Sequence, residues 1–310
     1  MGFRTIEIYL PIAEVSLNLF LILGLGAGIG LLSGIFGVGG GFLLTPLLIQ
    51  IGIPPPVAVA SAANQVAGAS LSGCLTHWQR NNVDVRMGVI LLVGGFIGST
   101  LGVFVFRLLR QLGQVDFTIA ICYVVLLGAI GSMMLVESLN AIFRRRRRPA
   151  SASDRGAHRH TWIHRLPLKM RFYRSRLYIS ALLPAGIGFF VGLLSAIMGV
   201  GGGFVIVPAM IYLIGMPTSV VVGTSLFQVM FVSANVTFLQ ALNNHTVDVL
   251  LAFLLLVGGA AGAQLGARIG AKLRGEQIRV LLALIVLAMA LKTLYDLTLP
   301  PSDPYSIGIL

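Results

Sequence analysis

Acidic residues are the scarcest chemistry in this chain. Ten Asp and Glu occur among 310 residues, and all of them (Glu7, Glu14, Asp84, Asp116, Glu137, Asp154, Asp248, Glu276, Asp296 and Asp303) fall in termini, loops or near the ends of apolar runs. Proton and cation carriers usually keep an ionisable group at membrane depth, because a charge there is expensive and survives only for function; no carboxylate is so placed here. Charge of either sign makes up only 10% of the chain, against about 25% in a soluble globular protein, while 56% is hydrophobic. That balance excludes a soluble fold. Apolar runs of about 20 residues recur instead, the length that crosses a hydrocarbon core as helix. Period-two alternation is missing, which argues against a barrel. The two cysteines, Cys74 and Cys122, both lie inside apolar runs, which argues against a disulfide framework and a cysteine metal site. No nucleophile-and-base pair, metal cluster or cofactor motif stands out, so the chain reads as a non-enzyme with no cofactor. Residues Met1–Ser16 lack a cationic stretch leading into a short apolar core and cleavage site, so no cleavable signal is expected.

What the chain does have is a net charge of +12, and its location matters more than its size. Twelve Lys or Arg and one acid lie between Phe143 and Arg176, leaving the remainder nearly neutral. The stretch 137–176 contains Arg144 to Arg148 unbroken, then Pro, Ser and Ala, then His158, His160, Trp162 and His164. Its composition predicts a disordered first part and an interfacial basic and aromatic segment around Trp162–Tyr178. Lys and Arg beside spans set orientation, so the stretch reads as a cytoplasmic anchor against anionic lipid head groups, with no nucleic acid implied.

The chain is also duplicated. Gly37-Val38-Gly39-Gly40-Gly41-Phe42 returns as Gly199-Val200-Gly201-Gly202-Gly203-Phe204, and each copy meets a proline four residues after its Phe, Pro46 or Pro208. Each follows an apolar run, Leu17–Phe36 or Leu177–Met198, and precedes a short one, Phe42–Ile51 or Phe204–Ile214. Two polar spans follow, Val57–Trp78 and Val220–Leu242, with Ser61, Gln65 and Ser70 opposite Thr224, Gln228 and Ser233. Leu91-Leu92-Val93-Gly94-Gly95 then recurs as Leu255-Leu256-Val257-Gly258-Gly259, each followed by a Gly-x-x-x-Gly pair. A match this long is an internal duplication. The expected architecture is an all-α polytopic membrane protein of two homologous halves, 1–136 and 177–310, joined by the basic linker 137–176. Each half holds about four full spans and one short broken or re-entrant segment.

With the linker in the cytoplasm and five segments counted per half, the loop holding Arg268, Lys272, Arg274 and Arg279 is cytoplasmic and the one with Arg107 and Arg110 is outside, which is the right sign for the positive-inside rule. The halves are then inverted, with both termini outside. If each short segment instead returns to its own side, the halves are parallel and the four-basic loop faces outward.

A glycine cluster between membrane-depth segments breaks the helix and bares backbone N–H groups. Such a break survives only where protein, water or ligand satisfies it. In inverted-repeat carriers, half-helix N-termini near the midplane carry partial positive charge, which makes a small anion the natural guest. The plainer alternative is that the glycines only permit tight packing. The candidate contacts are Gly39, Gly40, Gly41, Gly201, Gly202 and Gly203 with Asn64, Gln65, Thr224, Ser225 and Gln228, whose amides and hydroxyls donate to oxyanions without adding fixed charge. Gln65 and Gln228 stand at equivalent positions. His77 and His245, at the ends of the polar spans, read as interfacial.

The doubled Gly-Val-Gly-Gly-Gly-Phe after a span, the proline that follows each, and the polar span with Ser/Thr and Gln resemble the TauE/SafE sulfite exporter family of bacterial inner-membrane permeases, over nearly the whole chain outside the linker. The resemblance implies export of a small sulfur-containing anion, such as sulfite or sulfoacetate, by a protein of two related halves in the bacterial inner membrane. Another small anion, or a membrane scaffold acting through the basic linker, are the alternatives. The arginine-rich insertion departs from a compact version of the family.

Overall fold

The structure is a computed structural model and describes residues 7–36, 38–147, 168–172, 174–175, 177–270 and 275–298. Two series of elements repeat in the same order. Strands β1 (Glu7–Leu10) and β2 (Val15–Asn18) form a hairpin that leads into α1 (Leu19–Phe36), α2 (Gly41–Gln50), α3 (Pro55–Gln79), α4 (Val85–Gln111) and α5 (Val115–Arg147). Strands β3 (Lys169–Phe172) and β4 (Leu177–Ser180) lead likewise into α6 (Leu182–Met198), α7 (Gly203–Ala209) with a π-wound continuation Met210–Ile214, α8 (Thr218–Asn244), α9 (Val249–Gly270) and α10 (Gly275–Thr298).

Local sequence sets most boundaries. Pro54 and Pro217 stand just before α3 and α8, where a fixed φ and a missing N–H cost nothing. Asp84 caps α4, its carboxylate accepting from Met87 N at 3.2 Å, and its counterpart Asp248 caps α9, accepting from Leu250 N and Leu251 N at 3.1 Å. Among the described residues, six helices are long and apolar enough to cross a membrane. Of the other two long helices, α3 has the length but not the hydropathy, because of its Ser, Asn and Gln residues, and α6 has 17 residues. The outward faces carry large apolar side chains such as Phe96, Ile97, Leu101 and Phe104 on α4 and Phe253 and Val257 on α9, which suits contact with lipid.

The halves interlock. α1 packs on α9 and α4 on α6, each pair joined through glycines whose missing side chains let backbones touch. Gly26 faces Leu255, Gly30 faces Gly259, and Leu31 meets Gly262 and Gly266, so α1 and α9 run the same way. Gly94, Gly98 and Gly102 meet Ala185, Phe189 and Leu193 in the same ascending order on α4 and α6. By contrast α3 and α8, which are repeat counterparts, pass in opposite directions: Gly73 faces Leu226, His77 faces Gly223, and Val66 and Val229 sit together halfway along α3.

Short ties fix which helix ends share a face. Asp248, at the start of α9, also accepts from Ile12 N at 3.0 Å just before α1, and Arg110 at the end of α4 donates to Asn244 O at the end of α8 at 2.8 Å. Gln50, ending α2, is bonded by Lys292 near the end of α10. The same face holds the starts of α3 and α5, because Gln50, Pro55, Asp116 and Asp296 line one cavity. α1 therefore leaves this face and α2 returns to it.

Several sequence expectations change. The spans expected from Leu17 and Leu177 begin as strands, because the chain turns back on itself in a hairpin before the helix starts. The linker, expected to lose structure from Glu137, continues α5 as helix to Arg147, since the run 137–147 holds good helix formers and no Gly or Pro. The basic and aromatic segment ends in β3 and β4. Arg144–Arg147 thus lie on a helix, whereas Arg148, His158, His160, Trp162 and His164 lie outside the described residues.

Candidate site at the two helix breaks

Both breaks are built from left-handed glycines. Gly39 and Gly40 have φ of 85° and 73°, and Gly201 and Gly202 have 72° and 74°, a region that a β-carbon makes costly. Gly40 and Gly202 are the N-caps of α2 and α7, with no side chain capping either. Gly40 O takes the N–H of Leu43 and Leu44, and Gly202 O those of Val205 and Ile206. The N–H groups of Gly41 and Phe42, and of Gly203 and Phe204, are the first of their helices, the positions at which a helix leaves its donors without an intrahelical acceptor.

The two turns dock on each other. A β-carbon on Gly41 would lie 2.8 Å from Gly199 O, and one on Gly203 would strike Val38 O. Phe42 and Phe204 pack with ring centroids 5.8 Å apart. The structure thus brings Gly39, Gly40, Gly41, Gly201, Gly202 and Gly203 to one place, though they are 160 residues apart in sequence to within a few positions. Every one of them is buried.

Against this double turn stand the polar faces of α3 and α8. Gln65 and Gln228 are 0% exposed, and neither the amide oxygen nor the nitrogen of either has a hydrogen-bond partner. The Gln65 amide lies against Gly259 of α9, and that of Gln228 against Gly95 of α4, where a β-carbon would sit 2.7 Å from Nε2. Ser70 and Ser233 are equally buried with unpartnered hydroxyls. Each reaches the glycine turn of its own half: Ser70 Oγ is 3.5 Å from where a Gly39 β-carbon would be, and Ser233 Oγ 2.9 Å from that of Gly201. An unpaired buried polar group costs about 1–3 kcal/mol, so these two amides and two hydroxyls are each held at a cost in stability.

Not every candidate gathers there. Thr224 Oγ1 accepts the Asp84 N–H at 3.0 Å, which ties α8 to the start of α4. Ser225 donates to Val222 O of its own helix at 2.9 Å. Asn64 is half-buried on α3, and its repeat counterpart is Phe227. Ser70 and Ser233 are the residues that sequence reasoning passed over as contacts; their signal was the repeat itself, which sets them opposite each other one turn beyond Val66 and Val229.

One contact breaks the symmetry. Tyr123 Oη donates to Met198 O at 3.0 Å and Thr45 Oγ1 to the same oxygen at 3.1 Å, so two hydroxyls of the first half hold the last carbonyl of α6. The position equivalent to Thr45 is Val207, and nothing in the sequence of α10 between Val280 and Leu294 offers a second tyrosine. Tyr123 also floors a cavity of about 380 Å³ between α2, α5 and α10.

A helical bundle with six membrane-length apolar helices, interlocked halves and a buried polar centre at paired helix breaks is that of a multi-pass membrane transporter. The chain belongs to the sulfite exporter TauE/SafE family, whose model matches residues 21–293. Among similar proteins are two from Bacillus subtilis, the "Probable membrane transporter protein YjnA", 28% identical over 87% of this chain and 98% of the relative, and the "Probable membrane transporter protein YunE", 26% identical over 91% and 98%. The Arabidopsis thaliana "Sulfite exporter TauE/SafE family protein 6" is 36% identical over a shorter stretch, 24% of this chain and 17% of the relative. No solved structure matches the chain.

Proposed function

We propose that this protein carries a small sulfur-containing oxyanion, sulfite or a sulfonate such as sulfoacetate, outward across the bacterial inner membrane, and that the solute sits between the two glycine turns. The observation that carries this reading is the pair of buried, unpartnered hydroxyls of Ser70 and Ser233 at the glycine turns, with the equally unpartnered amides of Gln65 and Gln228 on the same two helices. A sulfite offers three acceptor oxygens to such a shell, and α2, a ten-residue helix, adds a partial positive charge at its start. Among the described residues no carboxylate lies at this depth. Asp84 and Asp248 cap helix starts, while Asp116 and Asp296 line the cavity at one face.

The antiparallel course of α3 and α8 supports two halves inverted in the membrane, with the linker in the cytoplasm against anionic head groups and both termini outside. The helical extension of α5 to Arg147 places its four arginine positions about 12 to 16 Å beyond Val136 along the helix, within reach of that surface. Alternating access then consists of one broken-helix pair loosening from α3 and α8 while the other stays docked.

Purified protein in liposomes tests the reading. Saturable efflux of radiolabelled sulfite is expected, competed by a sulfonate more strongly than by acetate, and repeating it with a proton gradient on and off settles the coupling. Absence of flux for sulfite, sulfonate and sulfate under every gradient would refute it.

A further inference from the structure

Gly39 and Gly201 face the same two side chains. A β-carbon on Gly39 would lie 3.1 Å from Val66 Cγ1 and 3.5 Å from Val229 Cγ1; one on Gly201 would strike Val66 Cγ1 and lie 3.0 Å from Val229 Cγ1. Val66 and Val229 are repeat counterparts, and both are 0% exposed. A β-carbon on Gly41 would also lie 2.6 Å from Val66 Cγ2. The γ-methyl groups of this pair therefore occupy the space onto which both turns and both unpartnered serines open.

We propose that Val66 and Val229 are the constriction of the transport path and set the largest solute that passes. This rests on the reading of the centre as the transport site and adds to it the residues that choose among oxyanions. A valine in a helix is held in one χ1 rotamer in about 90% of cases, so these methyl groups do not swing aside as a leucine or methionine would. Room for a solute comes only from separating α3 and α8 or withdrawing a glycine turn. The glycines themselves contribute no volume, which leaves the valines as the variable that sets size. The methyls also offer no hydrogen bond. A solute passing them sheds its water on that side and takes Ser70, Ser233 and the backbone N–H groups in exchange. A compact oxyanion such as sulfite does this with every oxygen, whereas the carbon tail of a sulfonate has to fit against the valines.

The test compares sulfite, methanesulfonate and 2-hydroxyethanesulfonate flux in proteoliposomes of the full-length protein. In Val66→Ala/Val229→Ala the ratio of 2-hydroxyethanesulfonate to sulfite flux is expected to rise about tenfold or more, the discrimination that one or two methylenes give in an apolar pocket. Val66→Leu is expected to lower the same ratio, and Val66→Thr, which keeps the shape, to leave it near wild type. An unchanged ratio in the double alanine variant overturns the proposal. So does loss of all flux in the alanine variants while Val66→Thr keeps it, since the valines would then serve packing alone. If wild type moves none of the three anions, the transport reading itself falls, and that result is distinct from either.

Discussion

At the scale of single residues, the two glutamines separate function from stability. A buried amide with no partner is a liability of about 1–3 kcal/mol, whereas an apolar group of similar shape at the same position is not. Gln65→Leu and Gln228→Leu are therefore expected to leave the melting temperature of the detergent-solubilised protein unchanged or raised, while sulfite flux falls at least about tenfold, the effect of one lost hydrogen bond to a charged solute. A drop in stability together with normal flux would mean that the amides hold helices together. The glycines behave in the opposite way. Gly202 combines a φ of 74° with a β-carbon position that collides with Val191 Cγ1, and Gly40 has a φ of 73° with Ile29 Cγ2 2.9 Å away. Gly202→Leu and Gly40→Leu pay about 1–2 kcal/mol for the left-handed backbone before any clash is counted, and both are expected to abolish flux. Wild-type rates in both variants would remove the turns from the mechanism. These residues were legible in the sequence for a physical reason: a duplicated chain repeats whatever its centre requires, so the glycine clusters, Gln65 with Gln228 and Ser70 with Ser233 stand out at one offset. Thr224 and Ser225 share that offset with Ser61 and Ala62, yet their hydroxyls serve the backbone. Polarity within a span does not say which way the group is turned.

At the scale of elements, the second break is clamped by side chains of the first half. Gly199 turns the chain out of α6 with its N–H on Ser195 O at 2.9 Å, and the Met198 carbonyl before it is gripped from α2 by Thr45 and from α5 by Tyr123. A carbonyl has two lone pairs, and both are used. Removing one hydroxyl costs about 0.5–1.5 kcal/mol, but removing both leaves a buried carbonyl bare. Thermal denaturation should therefore show Tyr123→Phe and Thr45→Val each mildly destabilising and the double variant worse than their sum; simple additivity would show that water or another group replaces the clamp. This contact was not legible, because Tyr123 and Met198 are 75 residues apart and Tyr123 has no repeat counterpart to draw the eye. The hairpins escaped for a different reason. Four-residue strands are too short for period-two alternation to show, and what holds them is tertiary: Asp84 takes Ser175 N at 3.1 Å and Ser175 Oγ at 2.6 Å, while Asp248 takes the N–H groups of Ile12 and Ala13. Each of these capping carboxylates thus fastens the hairpin of the other half, a role that spacing alone does not reveal. Most helix bounds were legible to within about five residues, since apolar length and flanking Pro, Gly and Asp are local properties, but α5 runs on past the expected start of the linker at Glu137 to Arg147.

At the scale of the whole molecule, the directions of the helices give the duplication its meaning. Counterparts α3 and α8 run antiparallel, and the ties at Asp248, Arg110 and Gln50 gather the starts of α1, α3, α5 and α9 with the ends of α2, α4, α8 and α10 on one face. Arg107 and Arg110, near the end of α4, belong to that face, and Arg268, near the end of α9, to the opposite one. An inverted pair places equivalent loops on opposite sides of the membrane, whereas a parallel pair places them on the same side. The α3–α4 and α8–α9 loops decide between these, because both are short and both present an exposed residue, Arg80 and His245. With Cys74 and Cys122 replaced by alanine, Arg80→Cys is expected to react with a membrane-impermeant maleimide only from the cytoplasmic side, and His245→Cys only from the outside. Labelling of both from one side would make the halves parallel and would require α3 and α8 to cross the membrane in the same sense. That arrangement is incompatible with Gly73 on Leu226 and His77 on Gly223, so the outcome bears directly on how the two glycine turns come to share one centre. If the halves are inverted, the same few residues present the same donors toward each side of the membrane in turn, and the hydroxyl clamp on Met198 is one feature that makes the two directions unequal.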